Sequence, residues 1–456
     1  MMNIKEIYAL YEKHPVVTTD SRDCPEDSIF VALKGTSFNG NRFALQALEA
    51  GCSYAIVDEM NDGLREGAAA LAARRGYAPL IVVDDALQTL KDLAREHRRR
   101  FAGPVVGITG TNGKTTTKEL IRAVLSAQYR VMATEGNYNN DVGVPKTLFR
   151  LNDDYDIGVV EMGASHPGDI KTLVETAEPT CGLITNVGRA HLQGFGSFEG
   201  VCRTKGELYD YLLAHDCPLF VNRDNEHLMA MLKERDALSP SPDIYFYGQG
   251  DSDDILIKGE VVRCDPFLTF RWREQDSDAG WTSEWMEVKT QLIGAYNIDN
   301  MLAAITVGYV NGVPFEDISK ALEGYRPTNN RSQLTTTEHN RLVVDAYNAN
   351  PSSMKAAIDN FKLMMAPRKM VILGQMGELG DVSEEEHRRV VDMLQEAVFD
   401  EVWLVGEAFQ RVPSPFRTFA DTTAVKEALR SERPEGMTIL IKGSNSNRLY
   451  ELTELL

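Results

Sequence analysis

The sequence predicts an α/β protein of three domains: a small N-terminal α/β domain, a central domain with a phosphate-binding loop and a mostly parallel sheet, and a Rossmann-like C-terminal domain. Two observations predict this class. Short apolar runs alternate with segments of helical periodicity, as parallel sheets covered by helices require. At 456 residues, the chain also exceeds what one hydrophobic core usually holds. We place the domains at residues 1–99, 100–314 and 315–456.

The first domain is predicted from three apolar runs, at residues 28–33, 54–57 and 80–83, which are separated by segments of helical spacing. Its last helix begins near Leu87 and ends in the three arginines of residues 98–100. Positive charges suit the negative end of a helix dipole. We therefore interpret this basic run as structural rather than as a phosphate site.

A glycine-bearing turn follows the first apolar strand of the central domain and opens a predicted helix. Gly110 and Gly113 let the backbone curl so that its N–H groups converge on phosphate oxygens. Lys114 is spaced to reach the β and γ phosphates, and Thr115 to hold Mg²⁺. The general phosphate-loop pattern has glycine where this chain has Ile108, so a more particular form of the motif is present. The predicted nucleotide-binding residues of this turn are Gly110, Thr111, Asn112, Gly113, Lys114, Thr115 and Thr116.

Three other classes of protein share such a turn. A P-loop kinase or a GTPase does not explain a separate N-terminal domain with Asp20-Ser21-Arg22, or a helix with Asn297 and Asn300 one turn apart. The sequence also lacks the Asn-Lys-x-Asp element by which GTPases recognise guanine. A nucleotide-binding scaffold without catalysis stays open, and it predicts slow hydrolysis that no acceptor stimulates.

The composition excludes several function classes. A formal charge of −19 disfavours nucleic-acid binding, which needs a basic surface. No apolar run approaches the roughly 18 to 20 residues that span a bilayer, and Lys5 and Glu6 interrupt any signal-peptide pattern. The six cysteines show no C-x-x-C spacing, which argues against a zinc site or a disulfide framework. We expect a cytoplasmic protein that does not insert into membranes.

Polar side chains follow the predicted strands of the central domain. Glu161 ends one strand and is a candidate metal ligand, although a solvated strand-end carboxylate fits the same pattern. His191 follows the next strand and is either a metal ligand through its neutral imidazole or a structural histidine. Asn137, Asn139 and Asn140 belong to a polar, glycine-bearing loop that either lines the substrate cleft or satisfies its own backbone.

The remaining elements follow in order. Residues 254–290 predict β-hairpins, and an Ala- and Leu-rich helix over 297–310 is stopped by Asn311-Gly312-Val313-Pro314. Four further strands, at residues 342–345, 370–373, 402–405 and 438–442, predict the Rossmann-like domain. The acidic run Glu384-Glu385-Glu386-His387 is interpreted as a helix start, with Ser383 and Glu386 in a capping box.

These motifs together resemble the Mur ligases, over the whole chain. The resemblance rests on the turn Gly-Ile-Thr-Gly-Thr-Asn-Gly-Lys-Thr-Thr, and on Glu161-Met162-Gly163, Ala190-His191-Leu192, Lys205-Gly206-Glu207, Tyr296-Asn297-Ile298-Asp299-Asn300 and Asp345-Ala346-Tyr347-Asn348-Ala349-Asn350-Pro351. The segments Tyr347–Pro351 and Gly374–Gly380 are typical of the member that adds D-Ala-D-Ala, and the Asp-Asn-Pro-Arg motif of the member that adds the third amino acid is absent.

The resemblance implies an ATP-dependent peptide ligase. ATP would phosphorylate the terminal carboxylate of a UDP-N-acetylmuramoyl-tripeptide, and the amine of D-Ala-D-Ala would attack the acyl phosphate to form an amide. Sibling members that add the third residue or that extend folates with glutamate are the alternatives within the family. The resemblance further implies a cytoplasmic enzyme that closes its C-terminal domain over ATP, and we expect a monomer.

The resemblance also implies roles for particular residues. Two Mg²⁺ ions are expected, with Thr115 at the first and with Glu161 and His191 at the second; Lys205 is expected as a carbamate that supports metal binding. Lys114, His191 and Lys205 form the implied catalytic set. The implied adenine, nucleotide and ribose contacts are Asn297, Asn300, Arg331 and Asp345. The implied substrate contacts are Ser21, Arg22 and Lys34 for UDP, with Asn137, Asn139, Asn140, Asn348 and Asn350 for the peptides. The loop Lys442–Arg448 follows a predicted strand, and it either contacts one of the peptides or is a Gly-Ser loop before a terminal helix.

Overall fold

The computed structural model describes residues 2–237, 243–276, 280–281, 283–327 and 333–456. The chain forms two compact units. Unit 1 comprises Met1–Gly107, Tyr129–Gly163 and Lys171–Cys181, and unit 2 comprises Ile108–Gln128, Ala164–Ile170 and Gly182–Leu456. In the described part of the chain, no helix combines the length and the apolarity needed to cross a bilayer.

The regular elements alternate as the sequence predicts. The strands are β1 (Val17–Thr18), β2 (Ile29–Val31), β3 (Tyr54–Val57), β4 (Leu80–Val82), β5 (Val105–Thr109), β6 (Val131–Ala133), β7 (Ile157–Glu161), β8 (Cys181–Ile184), β9 (Leu219–Asn222), β10 (Ile244–Gly248), β11 (Ile255–Cys264), β12 (Phe267–Asp276), β13 (Gly280–Trp281), β14 (Met286–Ile293), β15 (Gln333–Thr336), β16 (Arg341–Asp345), β17 (Lys369–Gly374), β18 (Glu401–Val405), β19 (Arg417–Phe419) and β20 (Thr438–Lys442). The helices are α1 (Ile4–Tyr11), α2 (Ala44–Ala50), α3 (Asp62–Arg75), α4 (Ala86–Arg98), α5 (Lys114–Leu125), α6 (Gly143–Leu148), α7 (Asp169–Ala177), α8 (Leu192–Phe195), α9 (Phe198–Ala214), α10 (Glu226–Lys233), α11 (Asn297–Val310), α12 (Phe315–Gly324), α13 (Pro351–Leu363), α14 (Ser383–Ala397), α15 (Glu407–Gln410) and α16 (Thr422–Ser431).

Unit 1 contains the predicted N-terminal α/β layers. Its sheet has the order β1-β2-β3-β4 and is parallel throughout. Alternate residues of these short strands point to opposite faces, so each face buries its own apolar cluster. One cluster joins the sheet to α1 and α4, and the other joins it to α2 and α3. Elsewhere in unit 1, β6 and β7 pair in parallel.

The basic run at the end of α4 has a structural role, as interpreted from the sequence. Its arginines act through specific hydrogen bonds and an ion pair, and not only through the helix dipole. The Arg98 side chain is only 6% exposed. Its guanidinium donates to the carbonyl oxygens of Ala177 and Glu178, both at 3.1 Å. The Arg99 guanidinium pairs with the carboxylate of Glu178 at 2.6 Å. Arg98 therefore satisfies the carbonyl groups at the end of α7, and Arg99 adds an ion pair beside them.

Unit 2 begins at Ile108, near the end of β5, and contains two sheet regions. In the first, β8, β9, β10 and β11 run parallel, and β12 and β14 then add antiparallel. The predicted hairpins are thus confirmed, although residues 277–279 of the polar turn lie outside the described residues. Helix α11 buries most of its circumference, which explains its nearly unbroken apolar sequence.

The second region is the predicted Rossmann-like sheet, with the order β15-β16-β20-β17-β18-β19. Strands β16 to β20 pair in parallel and β15 adds antiparallel at the edge. Helices α13 and α14 cover one face, while α16 and the C-terminal turns cover the other.

One helix start differs from its prediction. Val382 is the N-cap of α14 and makes no side-chain cap, so the capping box of Ser383 and Glu386 is wrong. The Glu386 carboxylate points instead to Arg189, 197 positions away along the chain. A long-range ion pair therefore takes the carboxylate that the local pattern assigns to the helix terminus.

Candidate functional site

The turn between β5 and α5 has the backbone form that its glycines predict. Gly110 and Gly113 have φ angles of 144° and 79°, which L side chains rarely adopt. A Cβ atom at Gly113 would lie 2.6 Å from Oδ1 of Asn300, so there is also no room for a side chain. Helix α5 begins directly at Lys114, with no side-chain cap. Its first N–H groups are therefore the kind that bind phosphate oxygens.

The segment after β8 braces this turn from the side. The backbone N–H of Thr111 donates to the carbonyl of Asn186 at 2.9 Å. The N–H of Asn112 donates to Oδ1 of Asn186 at 3.0 Å, and Nδ2 of Asn186 donates back to the Asn112 carbonyl at 3.0 Å. The N–H of Gly188 donates to the Thr111 hydroxyl at 2.9 Å. Residues 186–188 and the turn thus hold one another in a single conformation.

The lysine and threonines at the start of α5 lie where the motif predicts. Nζ of Lys114 donates to the carbonyl oxygens of Gly110 and Thr111, at 2.8 and 3.1 Å, which places its charge over the turn. Thr115 is buried at 4% exposure, whereas Thr116 is half-buried. This arrangement can bind a polyphosphate between backbone N–H groups and one ammonium group.

A chain of carboxamides joins α11 to α5. The Thr117 hydroxyl donates to Oδ1 of Asn300 at 3.0 Å, and Nδ2 of Asn300 donates to Oδ1 of Asn297 at 2.9 Å. Nδ2 of Asn297 in turn donates to the carbonyl of Ile293 at 2.8 Å. Tyr296 is the N-cap of α11, so Asn297 lies inside the helix rather than capping it. The spacing of the two asparagines predicted one shared helix face, and the structure places them there.

Asp299 lies in the same turn of α11 and was not singled out from the sequence. Burial raises the pKa of its carboxyl to about 6, and the nearby Asp224 carboxylate adds to the rise. Nε2 of Gln249 donates to Oδ1 of Asp299 at 3.4 Å. No local pattern marks this residue, because the charge that faces it comes from the end of another strand.

His191 and Lys205 lie within electrostatic range of the turn. His191 has a left-handed backbone with φ of 51°, and its Nδ1 contacts the carboxylate of Glu378. Burial lowers the pKa of His191; the Glu378 carboxylate opposes this shift, and the charges of Lys114 and Lys205 add to it. The cationic residues of the implied catalytic set are therefore close enough to affect one another's protonation.

Lys205 is buried on the inner face of α9, with 2% exposure. Burial lowers the pKa of its ammonium well below the ordinary value, and the charge of Lys114 lowers it further. Its Nζ lies 5.7 Å from the centre of the Phe195 ring. The carboxylates of Asp169 and Glu207 oppose this lowering of the pKa. A buried lysine of this kind holds a neutral amine more readily than an exposed one.

Glu161 and the predicted polar loop lie in unit 1. The Glu161 carboxylate is buried at 2% exposure and accepts a hydrogen bond from Nδ2 of Asn139 at 2.8 Å. Oδ1 of Asn140 accepts from the N–H of Gly143 at 2.8 Å, which is the alternative in which the loop satisfies its own backbone. Asn137 is exposed. The loop therefore positions the strand-end carboxylate through Asn139 and accepts the first N–H of α6 through Asn140.

The donor chemistry of the predicted metal ligands suits Mg²⁺. Thr115 offers a hydroxyl and Glu161 a carboxylate, the oxygen donors that this ion prefers, and His191 offers an imidazole. Within the residues that the structure describes, no three His, Cys, Asp or Glu side chains gather as a metal cluster. All six cysteines are free thiols, as the sequence predicts.

Residues of the Rossmann-like region reach the turn. Asn350, the N-cap of α13, exchanges hydrogen bonds with Asn112: Nδ2 of Asn350 donates to Oδ1 of Asn112 at 2.8 Å, and the return bond is 3.4 Å. The Ser352 hydroxyl accepts from the N–H of Arg189 at 3.1 Å. The sequence offered no signal for this serine or for Glu378, because their partners are more than a hundred residues distant.

Two other predicted residues of this region have structural partners. Asp345 pairs with the buried Lys442 at 2.6 Å. Oδ1 of the exposed Asn348 accepts from its neighbouring N–H, that of Ala349, at 2.8 Å. Arg331 lies outside the described residues.

A pocket of about 310 Å³ opens at the carboxyl edge of this sheet. Its lining includes Gln375, Asp421, Lys426, Arg448 and Glu451. Glu451 pairs with both cations of this lining, so the walls carry both signs of charge. The loop predicted to contact the second peptide substrate provides one wall.

The predicted UDP contacts of unit 1 are charged and paired. The Arg22 guanidinium is 85% exposed and pairs with Asp20 at 2.7 Å. Nζ of Lys34 lies 3.2 Å from Asp58. Ser21 is half-buried in the same turn as Asp20.

Comparison with known proteins gives matches over almost the whole chain. A profile of the Mur ligase middle domain matches residues 108–308, and a profile described as "Mur ligase, glutamate ligase domain" matches residues 330–445. UDP-N-acetylmuramoyl-tripeptide–D-alanyl-D-alanine ligase of Bacillus subtilis is 32% identical, covering 96% of this chain and 92% of the relative. The ligase of the same name from Escherichia coli is 33% identical, covering 96% and 93%.

Solved structures agree with these matches. A crystal structure of MurF from Acinetobacter baumannii is similar with a TM-score of 0.82 and 29% identity, covering 96% of this chain and 92% of the other. MurF ligase from Thermotoga maritima in complex with ADP also gives 0.82, with 25% identity and coverages of 100% and 98%. From sequence relatives above 30% identity over nearly their full length, and from the geometry of the nucleotide-binding turn, we conclude that this chain belongs to the Mur ligase family.

Proposed function

We propose that this protein is an ATP-dependent ligase that joins D-Ala-D-Ala to UDP-N-acetylmuramoyl-tripeptide. The observation that carries the proposal is the near full-length similarity to ligases of that name, on a chain whose phosphate-binding turn is braced by residues 186–188. ATP use is supported by the ADP complex of the Thermotoga maritima relative.

The nucleotide is assigned to the turn and to the residues around it. Backbone N–H groups of Gly110–Thr116 bind the phosphates, and Lys114 neutralises part of their charge. Asn297 and Asn300 lie beside the turn on α11 and contact adenine. Arg331 and Asp345 are assigned to the nucleotide on the resemblance alone.

Two Mg²⁺ ions are proposed, with Thr115 at one site and Glu161 and His191 at the other. When bound, they reduce the repulsion between the tripeptide carboxylate and the triphosphate. Asn139 orients Glu161, and burial keeps His191 neutral, the form in which imidazole binds metals. Lys205 is proposed as a carbamate; its low pKa supports this, because the neutral amine is the form that adds CO₂.

The chemistry proceeds in two steps. The tripeptide carboxylate attacks the γ phosphorus of ATP. An acyl phosphate forms, and ADP is the leaving group. The D-Ala-D-Ala amine then attacks the acyl carbon, and inorganic phosphate leaves as the amide forms. Asn350 and Ser352 bring the Rossmann-like region to the turn, which supports its role in excluding water from the acyl phosphate.

The substrates are assigned by region. Ser21, Arg22 and Lys34 are proposed to bind the UDP moiety, and Asn137, Asn139 and Asn140 the peptide. Asn348, Asn350 and the pocket beside the Lys442–Arg448 loop are proposed for D-Ala-D-Ala. A pocket with both carboxylates and cations suits a dipeptide that carries an ammonium group at one end and a carboxylate at the other.

The assignments of domain, location and assembly belong to the same proposal. Residues 1–99 bind UDP, residues 100–314 bind ATP, and residues 315–456 close on ATP and bind the acceptor. The enzyme is proposed to act as a monomer in the cytoplasm.

The test is phosphate release from ATP and Mg²⁺ with the two peptide substrates added singly and together, and with the product mass recorded. We expect release only with both, and a product heavier by D-Ala-D-Ala less one water. Release with another amino acid in place of D-Ala-D-Ala would indicate a sibling ligase. Hydrolysis that no acceptor stimulates would leave a nucleotide-binding protein without the proposed activity.

A further inference from the structure

The Arg189 side chain links the bracing segment after β8 to helix α14. Its Nε and one terminal nitrogen both lie 2.9 Å from Oε1 of Glu386. Glu386 is 2% exposed, whereas the Arg189 side chain is 42% exposed. A buried carboxylate needs such charge-assisted hydrogen bonds, so the arginine is held by its partner rather than free in solvent.

Gly188 and His191, on either side of Arg189 along the chain, have direct links to the site. Gly188 donates to the hydroxyl of Thr111 in the phosphate-binding turn. Ser352 packs against Gly188 so closely that a Cβ atom there would lie 2.7 Å from its hydroxyl oxygen. Two positions beyond Arg189 lies His191, which is proposed as a metal ligand and is held in a left-handed conformation. A displacement of Arg189 therefore moves both of them.

The first turns of α14 also hold the loop that faces His191. Nε2 of His387 accepts from the N–H of Met376 at 3.0 Å, and Nδ1 of His387 lies 2.7 Å from the carbonyl of Ser383. The loop that begins at Met376 carries Glu378, the residue in contact with His191. Adjacent residues of one helix thus anchor the segment that carries the imidazole and the loop that faces it.

We propose that the Arg189–Glu386 pair positions residues 186–191 for phosphoryl transfer, with both members acting as positioning residues rather than catalytic ones. The proposal rests on the proposed ligase function. It predicts that the pair affects the rate of the chemical step more than the affinity for the acceptor, because its neighbours contact the phosphate-binding turn and not the pocket at the sheet edge.

The experiment compares Arg189→Met with Arg389→Met. Arg389 is the other partner of Glu386, at 3.0 Å, but it lies on α14 itself, and its second salt bridge is to Glu385 of the same helix. We expect Arg189→Met to lower kcat at least tenfold, with KM for D-Ala-D-Ala changed less than twofold, and Arg189→Lys to restore part of the rate. Arg389→Met is expected to stay within twofold of the parent in both.

A double variant and a structural readout make the test specific. If the two residues act as one pair, Arg189→Met with Glu386→Gln is no slower than Arg189→Met alone. Hydrogen exchange of the peptide covering residues 185–195 is expected to increase in Arg189→Met and not in Arg389→Met. An Arg189→Met enzyme within twofold of the parent, or multiplicative losses in the double variant, would overturn the proposal.

Failure of the ligase function and failure of the positioning role of Arg189 give different experimental results. If the parent protein makes no product, the ligase function fails, whereas the exchange comparison still decides whether Arg189 orders the segment. If Glu386→Gln does not fold, the half-exposed Arg189 variant and its matched control carry the test alone. Equal exchange in Arg189→Met and Arg389→Met would refute the positioning role whatever the activity.

Discussion

Replacing Asp299 with asparagine removes a carboxyl whose ionisation opposes folding. The pKa of this carboxyl is about 6 in the folded protein and 3.8 as its ordinary value. Because the folded value is the higher one, the native state binds more protons across this interval, and stability falls as the pH rises from about 4 to about 6. Above that interval the full penalty is present, about 3 kcal/mol from the two pKa values.

Asparagine has the same shape and does not ionise, so the Asp299→Asn variant lacks this penalty. We expect it to be more stable than the parent at pH 7.5, with a margin that shrinks by about 1.4 kcal/mol when the pH is lowered to 5.0. Urea unfolding at both pH values measures the margin. Glu226→Gln, an exposed carboxylate at the start of α10, is the matched control and should track the parent.

A margin that does not depend on pH would refute the reasoning, since a lost hydrogen bond or a packing change is not coupled to proton binding. So would a variant less stable than the parent at pH 7.5. The companion Asp224 contributes to the raised pKa, so removing its charge should reduce the pH dependence of the parent rather than add to it.

Three further perturbations have expected outcomes. Lys114→Met should lower ATP turnover at least a hundredfold with both substrates present, whereas exposed Lys233→Met should not, and equal rates would contradict the phosphate-binding role. Val398→Gly should raise the free energy of unfolding, measured in urea, by about 1 kcal/mol, because this exposed β-branched residue has φ of 51°. Val398→Ala keeps Cβ and should raise it little, so equal gains in the two variants would argue against backbone strain. Arg98→Met should lower the free energy of unfolding by about 2 to 3 kcal/mol, because it leaves the carbonyl groups at the end of α7 without donors. Exposed Arg100→Met should lower it by less than about 1 kcal/mol, and the reverse order would contradict the capping role of Arg98.

The fold was largely predictable because its signals are local. Buried parallel strands such as β16 and β20 are short continuous apolar runs, and the helices between them repeat at the helical period. The nucleotide-binding turn was predictable for the same reason, since Gly110 and Gly113 mark positive φ angles within a few residues. Strands, helices and tight turns can be predicted from sequence where residues close together along the chain determine them.

The contacts that complete the candidate site were not predictable in this way. Glu386 matches a helix-start pattern, yet its buried carboxylate pairs with a half-exposed arginine from another part of the chain. Asp299 carries no local mark, because its raised pKa comes from burial and from Asp224. Each of these outcomes depends on which residue from a distant part of the chain packs against the side chain. The spacing of residues in a single sequence does not reveal that contact.

Asn350 combines two tasks in one side chain. Its Oδ1 accepts from the N–H of Ser353 and so caps α13, while its Nδ2 reaches across to Asn112. Serine caps helices about as well as asparagine but is too short to make the second bond. Substituting serine at this position would therefore keep the helix and cut its link to the nucleotide-binding turn. Two different atoms of the Asn350 side chain therefore serve the two tasks, Oδ1 for the start of the helix and Nδ2 for the contact with the nucleotide-binding turn.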